Sequence, residues 1–188
     1  MLIDITLNVT PAMMGTAWEN TAKNLIGHLG THFDVMDKEF PLEYTRRRAV
    51  VFDVSHIRGR DVEISDIPLE QVKEGMFVAF CTGFAEDEEY GTPRYFKEHP
   101  QLSHALIDEL LSRNISVIGT DCGGIRSGAE HVPADQRCAD RGVFVVENLS
   151  GLKAVLDVSP FFTAHTYPMR VSEITGLPCR VVAEVDCI

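Results

Sequence analysis

The sequence predicts an α/β fold in which a mixed β-sheet is combined with few helices. Three observations lead to this prediction: short apolar runs recur along the chain, one segment has clear helical periodicity, and that segment lies between two strand-like runs. The 188 residues include 45% hydrophobic and 24% charged side chains, as in ordinary globular proteins. Since the chain contains no evident repeat or linker, we predict a single domain over residues 1–188.

The first strand is predicted over residues 2–10, where an apolar residue occupies every second position from Ile3 to Val9. A period of two is typical of a strand with one buried face. The loop at residues 11–18 follows, and it contains the only tryptophan of the chain, Trp18.

Two further strands are predicted over residues 49–54 and 76–80 because both runs are continuously apolar. Between them, residues 66–74 resemble a short helical segment that begins after an aspartate cap. The acidic stretch at residues 86–89 is interpreted as a solvated loop that leads into a turn with glycine and proline.

The strongest helix prediction covers residues 103–113, with Ser103 as the candidate N-cap. Its apolar residues fall at helical spacing: Leu102, Leu106, Ile107, Leu110 and Leu111. Residues 115–121 then form a predicted strand, which completes a β-α-β unit with the strand at 76–80.

The second half of the chain contains three more predicted strands, at residues 143–146, 161–165 and 179–185. The first of them is followed directly by Glu147. So many strands and so few helices favour a mixed sheet over a doubly wound parallel one.

Charge and cysteine content exclude several classes of function. The net charge is −11, so no basic stripe is available for nucleic acid or for an anionic membrane surface. No run is long and apolar enough for a membrane span, and the N-terminus does not have the pattern of a signal peptide. We therefore expect a cytoplasmic protein whose five scattered cysteines are reduced thiols.

The run from His28 to Asp34 combines two imidazoles and one carboxylate within seven residues. These are ligands that borderline divalent metals accept. His28 and His32 would share a face of a helix, whereas His32 and Asp34 would share a face of a strand. A change of conformation near Gly30 would bring all three side chains to one ion, although an ordinary polar turn is the alternative.

This run also resembles the metal-binding signature of the cyclase family that includes bacterial kynurenine formamidase and isatin hydrolase. The signature reads His-x-Gly-Thr-His-x-Asp-x-Pro-x-His, and Met36 and Lys38 stand where it has proline and its last histidine. Four later segments resemble the family in the same order, at residues 81–84, 95–102, 119–121 and 142–149. The resemblance implies a swivelling β/β/α fold and a homo-oligomer, a dimer or a tetramer.

By this resemblance, one divalent ion binds to four residues: His28, His32, Asp34 and Glu147. Two histidines and two carboxylates suit zinc first and manganese second. Members with two ions add a histidine about a dozen residues before the glutamate, where this chain has Asp135. Either Asp135 or His131, in a segment interpreted as a loop, is the candidate ligand for a second ion.

Lys38 occupies the position of the family's histidine acid and base, so we take it as the candidate catalytic residue. A lysine has an ordinary pKa of about 10.4 and is a poor base unless burial lowers that pKa. It could instead hold an oxyanion or a substrate carboxylate, or belong to a charged turn with its neighbours Asp37 and Glu39. Trp18 is the candidate substrate contact, with a role in the core as its alternative.

The resemblance implies a metal-dependent hydrolase that cleaves a C–N amide bond of a small molecule. Arylformamidase is the nearest activity, in which N-formylkynurenine and water give kynurenine and formate during tryptophan catabolism. Two alternatives follow from the altered positions Lys38 and Asp135. The chain could be a catalytically impaired protein that binds a metal or a small molecule, or a single-metal enzyme that acts on a lactone or lactam.

Overall fold

The computed structural model describes residues 1–7, 27–171 and 173–186. Within these residues, nine strands form one sheet in the order β1-β9-β7-β3-β4-β5-β6-β2-β8. The strands are β1 (Leu2–Asp4), β2 (His32–Asp34), β3 (Arg46–Asp53), β4 (Phe77–Cys81), β5 (Val117–Thr120), β6 (Phe144–Glu147), β7 (Phe161–Thr166), β8 (Gly176–Pro178) and β9 (Val181–Glu184). The predicted α/β fold with a mixed sheet is therefore confirmed.

Strands β3 to β6 form a parallel centre, and the outer strands pair antiparallel on both sides of it. Every residue of β4, β5 and β6 is buried. Parallel strands with both faces covered carry few polar side chains. This burial explains why the central strands could be recognised from continuous apolar runs.

Five helices lie in the connections of the sheet that the structure describes. They are α1 (Phe84–Asp87), α2 (Pro93–Lys97), α3 (His104–Ser112), α4 (His131–Asp140) and α5 (Leu152–Leu156). Helix α3 confirms the strongest helix prediction, since the Ser103 hydroxyl accepts the backbone N–H of Leu106 as an N-cap. None of the helices in this part of the chain is long and apolar enough to traverse a bilayer.

The sheet separates two apolar cores. One core packs α3 and α4 against central-strand residues such as Val78 and Ile118. The other combines central residues such as Phe77 with residues of the outer strands on both sides, among them Leu177 of β8 and Val181 of β9. Because strands far apart in the sheet share this second core, the sheet curls around it.

Several boundaries differ from the predictions. The segment interpreted as a loop around His131 is the start of α4, and its Pro133 lies in the first turn, where the missing N–H costs little. The acidic stretch at 86–89 begins inside α1. In place of one helix over 66–74, the structure has a 3-10 turn that ends at its first residue, Ile64–Asp66, and a second one within it, Leu69–Gln71. The predicted first strand is confirmed over Leu2–Asp4, and its end at 8–10 lies outside the described residues.

Candidate metal centre

The short strand β2 brings together ligands that are distant in sequence. It pairs antiparallel with both β6 and β8, and His32 lies directly opposite Glu147. His32 and Asp34 are two residues apart and therefore share one face of the sheet. Glu147 projects from that same face because residues directly opposite each other in a ladder do so.

The first group of possible ligands consists of His28, His32 and Asp34. Nδ1 of His28 lies 3.1 Å from Nε2 of His32 and 3.1 Å from Oδ1 of Asp34. Nε2 of His32 lies 3.6 Å from Oδ2 of Asp34. His32 and Asp34 are buried, whereas His28 is partly exposed, so the group has one open side.

The outer nitrogens of both imidazoles have partners that orient the rings. Nδ1 of His32 lies 2.9 Å from the carbonyl oxygen of Gly30, which can only accept a hydrogen bond. Nε2 of His28 lies 2.9 Å from the hydroxyl oxygen of Thr175. With hydrogens on these two atoms, Nε2 of His32 and Nδ1 of His28 present lone pairs toward Asp34.

The backbone of β8 approaches this group closely at Gly176. A Cβ atom at this position would lie 2.8 Å from Nδ1 of His28 and 2.7 Å from the carbonyl oxygen of Gly27. Contacts this short require the imidazole or the backbone to move. Glycine is therefore needed at position 176 if His28 is to keep its orientation.

A second group of possible ligands consists of Asp34, His131, Asp135 and Glu147. His131 and Asp135 extend from the first turns of α4, and Nε2 of His131 lies 3.6 Å from Oε1 of Glu147. The other oxygen of Glu147, Oε2, lies 3.6 Å from Nε2 of His32 in the first group. Asp34 belongs to both groups, and Glu147 contacts both.

Three buried carboxylates lie close together here, and their pKa values move in opposite directions. Burial raises the pKa of Asp135, and the negative charge of Asp34 raises it further. Burial likewise raises the pKa of Glu147, helped by the charges of Asp34 and Asp135. Burial alone would raise the pKa of Asp34 as well, but hydrogen bonds and charge from His28 and His32, when these imidazoles are protonated, bring it well below its usual range.

The donor chemistry of these residues fits divalent cations. Among the described residues, Oδ2 of Asp34, Oδ1 of Asp135 and Oε1 of Glu147 are buried and have no hydrogen-bond partner. Buried carboxylate oxygens are costly unless they are paired or coordinate a metal. The first group offers two imidazole nitrogens and a carboxylate, whereas the second offers three carboxylates and one nitrogen.

Lys38 has the geometry of the charged turn that was its alternative interpretation. Its Nζ lies 2.9 Å from carboxylate oxygens of both Asp37 and Asp140, and its side chain is 36% exposed. The hydrogen bond to Asp140, followed by the one to Asp37, raises its pKa. The burial that would lower this pKa and produce a base is not observed, so a catalytic role of Lys38 stays a prediction.

An aromatic cluster adjoins the turn between His28 and His32, and the sequence analysis did not identify it. Its members are Phe84, Tyr90, Tyr95 and Phe96, and Tyr90 has ring centroids 5.4 Å from Tyr95 and 5.9 Å from Phe96. The hydroxyl of Tyr90 accepts the N–H of Gly30 at 3.0 Å. Trp18, the predicted substrate contact, lies outside the described residues.

Comparison with known proteins gives one family. A family model described as "Putative cyclase" matches residues 3–126, well over half of the chain. The matched part includes His28, His32 and Asp34, whereas His131, Asp135 and Glu147 lie beyond it. No curated protein sequence matches the chain.

Solved structures with low sequence identity have the same fold. Isatin hydrolase A from Ralstonia solanacearum superposes with a TM-score of 0.77 at 16% identity, over 99% of this chain and 92% of that one. Isatin hydrolase A from Labrenzia aggregata gives 0.74 at 20% identity, over 97% and 93% of the two chains. A predicted metal-dependent hydrolase from Bacillus stearothermophilus gives 0.72 at 20% identity, over 97% of each chain.

Proposed function

Because the chain belongs to the cyclase family, we propose that it is a metal-dependent hydrolase that cleaves a C–N amide bond of a small molecule. The observation that carries this proposal is the convergence of buried carboxylates and imidazoles at β2, β6 and α4. Three buried carboxylate oxygens without a hydrogen-bond partner would destabilise the fold by themselves, whereas bound cations would compensate their charge.

The ligands of a first ion would be His28, His32 and Asp34, with Glu147 completing the set. The chemistry that a divalent cation would supply there is Lewis-acid polarisation of an amide carbonyl and activation of water as a nucleophile at neutral pH. The residues themselves provide fixed lone pairs, since Gly30 and Thr175 hold the outer nitrogens of the two imidazoles. Zinc suits this mixed nitrogen and oxygen set, with manganese as the second choice.

The ligands of a second ion would be His131, Asp135, Glu147 and Asp34. The carbonyl oxygen of Arg126 lies 3.2 Å from Nδ1 of His131 and accepts its hydrogen, which leaves Nε2 as the ligand atom. Three carboxylates make this set harder than the first one. It therefore favours manganese over zinc more strongly than the set with two histidines does.

The aromatic cluster supports a substrate with an aromatic ring. The hydroxyl of Tyr90 accepts a hydrogen bond from the N–H of Gly30, in the turn that leads to His32, so the cluster lies beside the candidate metal ligands. Phe96 is 43% exposed, and an exposed aromatic face can stack on a ring of the substrate. Among aromatic amides, N-formylkynurenine is the nearest candidate, which would make the protein arylformamidase-like.

A second candidate function is binding of a metal or small molecule with little catalysis. The observation that favours it is the engagement of Lys38 with Asp37 and Asp140, which leaves the position of the family's proton-transferring histidine without a base. A single-metal enzyme that opens a lactone or lactam is a further alternative. We also propose a cytoplasmic homo-oligomer, a dimer or a tetramer, whose mass light scattering would measure.

Metal content and hydrolysis measured on the same preparation test the proposed function. The purified protein is analysed for metal per chain, then assayed with N-formylkynurenine, formanilide and a lactone before and after loading with zinc or manganese. Stoichiometric metal with amide hydrolysis supports the proposal. Stoichiometric metal without turnover favours the binding protein, and no tightly bound metal after loading contradicts both.

A further inference from the structure

The imidazole of His32 can bind a metal through Nε2 only if its hydrogen is on Nδ1. In the structure, Nε2 faces Nδ1 of His28 at 3.1 Å and Oε2 of Glu147 at 3.6 Å. Nδ1 donates to the carbonyl oxygen of Gly30 at 2.9 Å. The position of this one carbonyl therefore decides which nitrogen of His32 carries the lone pair.

The peptide groups on both sides of Gly30 are held from outside the turn. Nδ2 of Asn148 donates to the Gly30 carbonyl oxygen at 2.9 Å, and the hydroxyl of Tyr90 accepts the Gly30 N–H at 3.0 Å. The next residue, Thr31, donates its hydroxyl to the carbonyl oxygen of Asn148 at 2.7 Å. Asn148 thus contacts this turn through both its side chain and its backbone.

Asn148 is itself fixed in one orientation. Its φ angle is 57°, a left-handed conformation that asparagine tolerates better than most residues. This conformation turns the chain away from β6 directly after Glu147. Its Oδ1 accepts the hydroxyl of the buried Tyr95 at 2.9 Å. A flipped amide would place Oδ1 against the Gly30 carbonyl oxygen, so the Gly30 contact selects this orientation, and Tyr95 holds it by donating to Oδ1.

We propose that Asn148 and Tyr95 are positioning residues that fix the His32 tautomer and thereby the affinity of the first metal site. The inference rests on the proposed function, because fixing the tautomer of His32 affects metal affinity only if His32 is a metal ligand. Tyr95 acts through the Asn148 amide, Asn148 acts through the Gly30 carbonyl, and neither contacts the metal. Such outer partners are commonly worth about 10- to 100-fold in metal affinity.

Asn148→Gly tests the amide without straining the backbone, since glycine accepts a positive φ. The matched control is Asn114→Gly, because Asn114 has a similar φ of 52° but is exposed at the end of α3. Zinc affinity is measured by competition with a chelator on the full chain. We expect about 10- to 100-fold weaker binding for Asn148→Gly and unchanged binding for Asn114→Gly, and equal affinity of all three proteins would overturn the inference.

A second readout separates this inference from the proposed function. Nitrogen-15 chemical shifts of His32 in chelator-treated protein report its tautomer directly, whether or not the wild type binds metal. We expect hydrogen on Nδ1 in the wild type and a mixture of tautomers in Asn148→Gly and Tyr95→Phe. Tyr95→Phe removes only a hydroxyl and covers the case in which Asn148→Gly fails to fold. An unchanged tautomer in Tyr95→Phe and Asn148→Gly contradicts the inference, whereas a wild type that binds no zinc contradicts only the proposed function.

Discussion

Nε2 of His131 lies 3.4 Å from Oδ2 of Asp135, one turn later on α4. The family resemblance predicts a ligand of a second ion at position 135, where two-ion members have a histidine and this chain has a carboxylate. His131 supplies an imidazole from the preceding turn, because residues four apart share a helix face. In the proposed second site, the pair would keep one imidazole ligand and add a carboxylate, which shifts the donor atoms toward oxygen.

The first prediction concerns the second ion. His131→Ala and Asp135→Ala each remove a ligand of the second group and none of the first group. Metal analysis after loading with manganese is expected to fall from two ions per chain to one. The control is His104→Ala, whose imidazole is 54% exposed and lies near Glu130 instead. Two ions in both α4 variants would exclude this pair as ligands.

The second prediction concerns Asp34, which belongs to both groups. Asp34→Ala removes a ligand from each ion, so stoichiometric binding of either is expected to be lost. Asp37→Ala is the matched control, because that carboxylate is 65% exposed and pairs with Lys38. Inductively coupled plasma mass spectrometry of both variants decides the outcome. Full occupancy in Asp34→Ala would mean that the ligand assignment is wrong.

The third prediction concerns Lys38. Its ion pairs are exposed, and such pairs contribute little to stability, so Lys38→Met is expected to unfold at nearly the wild-type temperature and to hydrolyse amides at a similar rate. Lys38→His tests the family pattern at the same position. A marked gain of amidase activity in Lys38→His would restore the view of this position as the proton-transferring residue.

The fourth prediction concerns the pH dependence of stability in chelator-treated protein. The folded-state pKa values of Asp135 and Glu147 are raised above the ordinary values of 3.8 and 4.5, so the folded state holds more protons than the unfolded state as pH increases beyond these values. The free energy of unfolding should therefore decrease as the pH rises above about 4.5, with a slope of up to about 1.4 kcal/mol per pH unit for each group.

Urea unfolding at several pH values measures this slope. Asp34 adds no slope in this range, since its pKa is lowered and its contribution is lost only as pH falls below 3.8. The double variant Asp135→Asn with Glu147→Gln should flatten the profile. Saturating manganese should also reverse the slope of the wild type, because cation binding favours the deprotonated carboxylates.

The sequence was sufficient to predict the elements whose own residues carry a clear pattern. The central strands are buried on both faces, and α3 has both an N-cap at Ser103 and a continuous apolar face, so each could be recognised from its own residues. The run from His28 to Asp34 was recognised because its ligands are adjacent in the chain. The candidates Glu147, Asp135 and His131 came from the family resemblance and not from any local pattern, and the structure places them together with Asp34.

Other parts depend on contacts that no local pattern reveals. Helix α4 was missed because Pro133 and the preceding glycines resemble a loop, although its buried face at Ala134 and Cys138 packs on the sheet. Asn148 and Thr175 meet the histidine turn only through pairing of β2 with β6 and β8. Their partners are more than a hundred residues away in the chain, so spacing carried no signal.

Because β8 approaches His28 closely at Gly176, a substitution at this position, which is not a candidate ligand, would disturb the candidate metal centre. A sequence with every histidine and carboxylate intact but alanine at 176 would pass any check of the ligand pattern. Its His28 imidazole would nevertheless have to move, because the new Cβ would lie 2.8 Å from Nδ1. Integrity of the ligand motif is therefore not sufficient to identify a competent site in this fold, and a survey of related chains should examine the residue that faces His28 as well.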